Sequence, residues 1–163
     1  MKKKKMKKLI VSISGFLILM AIFLTPAHAD SGINLSNGQA VYVSVYTHIY
    51  SGLKGRPFEL GATLSIRNTD PKHPITLISV KYYDTDGKLL KDYQGEPVRL
   101  NALVSTRYVI KEGEIGGGSG ANFLVTWKSE KMVNPPIIEA IMIGTRSGQG
   151  ISFVSHGQVI KQH

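Results

Sequence analysis

The chain contains no cysteine. That absence excludes a disulfide framework, a thiolate zinc site, an iron–sulfur cluster, a cysteine nucleophile and a lipid-modified cysteine anchor. A sustained helical period is also lacking. Nowhere in residues 30–163 do apolar side chains recur at i, i+3, i+4 and i+7 over three turns, which argues against a helical bundle. The histidines His48, His73, His156 and His163 are scattered, with no pair at the spacing of a zinc motif, and each reads as solvated or hydrogen-bonded. No phosphate-binding loop or strained Gly-x-Ser-x-Gly elbow is present, so no nucleophilic triad is anchored.

What is there fits one folded domain. The 163 residues are 42% hydrophobic and 19% charged, a balance that argues against disorder. The net charge of +9 is misleading, because Met1 to Lys8 hold six lysines and no acid. Sixteen uncharged residues follow, Leu9 to Leu24, and then Thr25-Pro-Ala-His-Ala29. A basic stretch, an apolar stretch and a small-x-small site in that order predict a signal peptide over residues 1–29, cut after Ala29. The alternative is an uncleaved anchor, but a spanning helix needs about 20 apolar residues. Without paired arginines, the general secretory route is expected, to a periplasm or the medium. Cleavage leaves 163 less 29, or 134 residues, as a single domain over 30–163. Its 14 basic and 11 acidic side chains, with a net charge of +3, are interspersed, which removes the case for nucleic acid.

The mature chain reads as strands. In 39–50, Val41, Val43, Val45 and Ile49 share one parity, while Tyr42, Ser44, Tyr46, His48 and Tyr50 share the other. That alternation predicts one half-buried strand. Residues 58–67 repeat it with Ala62, Leu64 and Ile66 inward. Asn68 to Pro74 is a turn cluster, and Ile75 to Tyr83 a strand with Ile78, Val80 and Tyr82 on one face. Lys88 to Tyr93 returns as an edge strand. Thr106–Lys111, Asn122–Lys128, Ile137–Gly144, Ile151–Ser155 and Gln158–Lys161 follow; helix is the alternative for Ile137–Gly144, behind Pro135-Pro136. Phe123, Val125 and Trp127 share an inward parity. Seven to nine strands with turns between them predict an all-β antiparallel sandwich, with a small barrel as the alternative.

Three segments hold candidate chemistry. Asp84-x-Asp86-Gly87 begins like a calcium loop, but Lys88 stands where the next oxygen ligand belongs. A hairpin turn with Gly87 at positive φ is expected instead. Glu112-Gly-Glu114-Ile-Gly116-Gly117-Gly118-Ser119-Gly120 is the most unusual stretch. Its bare amides suit an anion nest and its two carboxylates a cation, against the alternative of a close-packed connection. Were Glu112 and Glu114 on a strand, they would share a face about 7 Å apart, a spacing compatible with an acid/base pair. Tyr42, Tyr46 and Tyr50 offer an aromatic platform for a glycan or a protein, against plain strand propensity. Arg107, Lys111, Lys128 and Lys131 read as a solvated basic rim.

Residues 62–93, from Ala-Thr-Leu-Ser-Ile-Arg-Asn-Thr-Asp to Asp-Thr-Asp-Gly-Lys-Leu-Leu-Lys-Asp-Tyr, resemble an immunoglobulin-like layout. Ser65 to Asp70, Val109 to Trp127, Asn134 to Ala140 and Gly148 to Phe153 further resemble a family of short exported bacterial proteins known only as a domain of unknown function. The resemblance implies an exported β-rich domain and carries no activity or catalytic residue. The leading expectation is a non-catalytic exported binding domain without cofactor or metal. It would meet an envelope protein or glycan through the 112–120 loop or the tyrosine face, and a membrane only through its signal peptide. The alternatives are a structural subunit pairing through a sheet edge, and an envelope hydrolase using Glu112 and Glu114.

Overall fold

The computed structural model describes residues 34–51, 55–146 and 148–163, all within one compact unit. Residues 1–29, for which the sequence predicts a signal peptide, lie outside the described residues. Twelve strands occur among them: β1 (Ser36–Val45), β2 (His48–Ser51), β3 (Arg56–Glu59), β4 (Gly61–Arg67), β5 (Ile75–Tyr83) and β6 (Leu89–Asp92). β7 (Val98–Leu100), β8 (Ser105–Ile110), β9 (Ala121–Val133), β10 (Ile137–Arg146), β11 (Gln149–His156) and β12 (Gln158–Gln162) complete the set. The only helical turn among the described residues is 3-10, Ile115–Gly117.

All pairing is antiparallel. One sheet runs β12-β1-β9-β5-β6, with β7 sharing the outer edge of β5; the second runs β11-β10-β4-β8, and β2 with β3 forms a ribbon. Neither large sheet closes on itself, so the architecture is a β-sandwich and not a barrel. Between the sheets lie Val41, Val43, Val80, Phe123, Val125 and Trp127 from one side. Leu64, Ile66, Ile110, Ala140 and Met142 meet them from the other. Each fully buried aliphatic or aromatic side chain contributes roughly 1.5–3 kcal/mol, so this layer drives the fold.

At Gly157 the chain steps from the second sheet to the first. Its N–H donates to Ile138 O at 2.8 Å, and a Cβ there would stand 2.6 Å from that oxygen and from Val41 Cγ1. Only glycine admits so close an approach of two strands. On the opposite side, the Tyr93 and Tyr108 rings meet edge-on at 5.2 Å and bridge the two sheets.

Several sequence expectations are refined. The segment 39–50 is two strands, broken at Tyr46–Thr47. Buried Thr47 donates from N and Oγ1 to Gly118 O (3.2 and 3.0 Å), and its carbonyl accepts from Leu60 N at 2.9 Å. Those bonds turn the chain away from β9, and they divide 56–67 at Leu60 as well. In β5 a bulge between Leu77 and Ser79 reverses the parity, so Leu77 and Val80 are buried while Ile78 faces solvent. Splitting of this kind, and the three-residue β7 that the pattern missed, explain twelve strands instead of seven to nine. Ile137–Arg146 is a strand and not a helix. Asp84–Gly87 is the expected turn: Asp84 Oδ1 accepts from the N–H groups of Asp86 (3.0 Å) and Lys88 (2.8 Å), with Gly87 at φ +79°.

Candidate functional site

The glycine-rich loop is built into the sandwich. Thr85 Oγ1 donates to Gly117 O (3.1 Å) and accepts from Gly120 N–H (3.0 Å), while Thr47 holds Gly118 O. Gly118 N–H bonds to Ile115 O (3.0 Å) and Ile115 N–H to Gly113 O (2.9 Å). The amides of Ile115, Gly118 and Gly120 are therefore committed within the protein and do not line an anion nest. Gly117 is buried, Gly118 and Ser119 are half-buried, and Gly116 is exposed. The segment is the close-packed connection.

Glu112 and Glu114 do not share a strand face, contrary to the acid/base geometry. They lie in turns: Glu114 N–H donates to Lys111 O (3.0 Å), and Gly113 takes φ +91° between them. Glu114 lies where its charge acts on Tyr82 and Tyr93, helping to raise the affinity of both phenols for their protons after burial, the larger cause. Glu112 instead lines two clefts. One, of about 460 Å³, is walled by Arg56, Phe58, Glu59 and Thr145; the other, of about 340 Å³, by Gly61, Thr63, Val109, Ile141 and Ile143. Among the described residues no three His, Asp or Glu side chains gather as metal ligands.

The tyrosines do not form one platform. Tyr42 stands on the outer face of the first sheet between Leu124 and Gln158. Tyr46 is half-buried edge-on against Phe153 (5.8 Å). Tyr50 sits on the β2–β3 ribbon opposite Pro57, with its ring on His48 at 5.2 Å. The break at Thr47 is what separates them.

The structure offers a different surface, the outer face of the β11-β10-β4-β8 sheet. Strand register places Val154, Ile141, Thr63 and Val109 side by side across the four strands. The next row towards Gly61 holds Ser152, Ile143 and Gly61. Ile143 is 54% exposed, Val109 49% and Val154 48%, against 0% for Trp127 in the core. Solvent-facing strand positions are ordinarily polar. On the outer face of the other sheet Tyr42 and Leu124 are in fact interleaved with Lys81, Thr126 and Asn122. Apolar side chains thus come from three of the four strands, with half-buried Ile141 and Thr63 between the exposed Val154 and Val109, and contiguous exposed apolar surface is a mark of interaction sites.

Polar groups border it. Glu139 and His156 face each other across β10 and β11 with Oε2 and Nδ1 3.3 Å apart, and the same row continues through Ser65 to Arg107. Arg67 Nε donates to Ser65 Oγ at 3.1 Å. Sequence reasoning reached Arg107, Lys111 and Glu112 but not this face. Its signal was in Ile137-Ile-Glu-Ala-Ile-Met-Ile143, where both parities are apolar although only one meets the core.

The chain belongs to the family of proteins of unknown function DUF3124, whose model matches residues 38–160. Among solved structures it is similar to the crystal structure of Thermotoga maritima 1070. Identity is 13% and the TM-score 0.45, over 77% of this chain and 97% of that one, a likeness too distant to carry an argument. No curated protein matches it.

Proposed function

We propose that this DUF3124 member is an exported, non-catalytic interaction domain whose working surface is the outer face of the four-stranded sheet. The observation that supports the reading is the set of exposed apolar side chains Val154, Val109 and Ile143, joined across the sheet by half-buried Ile141 and Thr63. Leaving such a set in water is unfavourable, and covering it gives roughly 25 cal/mol per Å² of apolar surface. The partner is a protein presenting an apolar surface of its own. Export rests on the basic, apolar and small-x-small order of residues 1–29. The sandwich is a rigid support, since the loop that looked most like a ligand site spends its backbone groups on Thr47 and Thr85.

The test places a photo-reactive benzoylphenylalanine at Ile143, and separately at Lys81 on the outer face of the other sheet, in the producing cell. Protein adducts from position 143 and not from 81 are expected. Equal labelling from both, or none from either, would overturn the assignment.

A further inference from the structure

We infer that the outer face of the first sheet holds a binding site for a phosphate group, in the cleft where a bulge of β9 stands beside Thr76. The inference goes beyond the interaction reading above and does not depend on it.

The register shows why the cleft exists. From Gly38 back to Ser36, β1 moves two residues, while β9 moves five, from Lys128 to Val133. Ser129 to Met132 therefore stand opposite Asn37 alone, and five less two, or three, residues of β9 are surplus. The surplus is pinned, because Ser129 Oγ donates to Pro74 O at 3.1 Å and accepts from Lys131 N–H at 3.3 Å. A bulge re-aims the side chains it carries. This one brings Lys131 to a cleft of about 200 Å³ that His73, Thr76, Arg99 and Ser129 also wall.

The groups at the cleft are uncommitted. Thr76 is half-buried, and its hydroxyl has no partner among the described residues. Register sets Arg99 beside it on β7 and Lys128 on its other side on β9. Lys128 rests its stem against Gly38 and adds positive potential from outside the cleft. The ion pair among the described residues joins His156 to Glu139 on the second sheet, so neither Arg99 nor Lys131 is neutralised by a paired carboxylate. Glu130 lines the cleft and offsets one cation. Asp70, the acid nearest in sequence to His73, spends its two oxygens on the N–H groups of Lys72, His73 and Asn134. Three cations against one free acid leave the site positive.

That donor set selects the ligand class. A guanidinium offers parallel N–H donors to an oxyanion, an ammonium adds a point charge, and the threonine hydroxyl a third kind of donor. Among the described walls only Pro74 is apolar, so a compact oxyanion suits the cleft better than an apolar body. The basic residues that the sequence groups as one rim are thereby divided. Lys128 and Lys131 belong with Arg99, while Arg107 stands on β8 of the other sheet.

Amide spectra of the chain purified from the producing cell, titrated with inorganic phosphate while chloride holds ionic strength constant, test the site. Saturating shifts confined to residues 73–76, 99 and 129–131 are expected, with a Kd of about 1 mM or tighter. Arg99→Gln and Lys131→Gln should each weaken binding about tenfold, and Glu130→Gln should strengthen it. Arg107→Gln removes the same charge from the second sheet and should change binding less than about twofold. Melting points of the four variants should match wild type, because these side chains are exposed. A second arm uses phosphatidylglycerol vesicles. Vesicle binding with the same dependence on Arg99 and Lys131, but no response to inorganic phosphate, would support the site and put the phosphate on a lipid headgroup. Equal losses in Arg107→Gln and Arg99→Gln would show diffuse charge and overturn the site, as would no binding in either arm.

Discussion

The Tyr82 hydroxyl rests on the bare Cα of Gly117, so closely that a Cβ there would overlap the phenol oxygen. The hydroxyl is buried and has no hydrogen-bond partner among the described residues. The glycine-rich loop and the strand beneath it are thus fitted by shape and not by a polar bond.

Gly117→Ala is therefore expected to destabilise the domain by about 1–3 kcal/mol or more, the cost of overpacking. Gly116→Ala, which meets nothing within 4 Å, should change stability by less than about 0.5 kcal/mol. Adding Tyr82→Phe to Gly117→Ala should recover part of the loss, because the colliding oxygen goes. Denaturant melts of the four proteins decide it. A Gly117→Ala variant as stable as wild type would show that the loop is not packed in this way.

Alkaline stability should carry the mark of the same tyrosine. Burial, with the charges of Tyr93, Glu114 and Asp84 adding to it, pushes the Tyr82 phenol up to about 12. Below pH 10 both folded and unfolded chains hold the proton and nothing is lost. Between about 10 and 12 the unfolded chain releases it first, so stability falls as pH rises. Burial raises Tyr93 and Tyr108 as well, so Tyr82→Phe should make the fall shallower without abolishing it. An identical slope in the variant would argue against the Tyr82 contribution.

Acid acts through Asp70. Its Oδ1 accepts from the N–H groups of Lys72 (2.9 Å) and His73 (2.8 Å), and its Oδ2 from Asn134 N–H (3.2 Å). The bonds from Lys72 and His73 are the main reason its pKa lies below the usual 3.8, against some opposition from burial. A depressed carboxylate stabilises the fold above its unfolded pKa and loses that contribution as pH falls through the folded value. Wild type should thus lose stability below about pH 4, and Asp70→Asn should start lower and respond less to acid. Thermal midpoints along an acid series test this, and parallel curves would contradict it.

Core and candidate surface should respond oppositely to truncation. Trp127→Ala is expected to cost about 3–5 kcal/mol, as for other buried aromatics, and Trp127→Phe less, since the indole N–H is buried without a partner among the described residues. Ile143→Thr should alter the stability of dilute protein by less than about 0.5 kcal/mol. Should Ile143→Thr unfold the domain in dilute solution, the face would be structural and not a surface for partners.

Local pattern was enough for much of the fold. The alternation of Val41, Val43 and Val45, of Ala62, Leu64 and Ile66, and of Phe123, Val125 and Trp127 marked inward faces that the structure keeps buried. The Asp84–Gly87 turn was equally legible, because an Asx side chain and a glycine act on neighbouring backbone. These features rest on interactions between residues close in the chain or on a period of two, and both are written in order along it.

Tertiary structure alone decided the rest. Nothing near Tyr46 announces that the chain breaks there, because the cause is Gly118, over 70 residues away, accepting from Thr47. The same distant bonds turned a glycine-rich segment that resembled a ligand loop into a packed connection. They also dispersed three tyrosines that shared one parity. The apolar outer face exists only because β10 pairs with β11 and β4, and β4 with β8, in one register. A strand apolar on both sides leaves open which side faces the core. Which side meets the core, and what stands beside Ile143, is set by pairings between residues far apart in sequence.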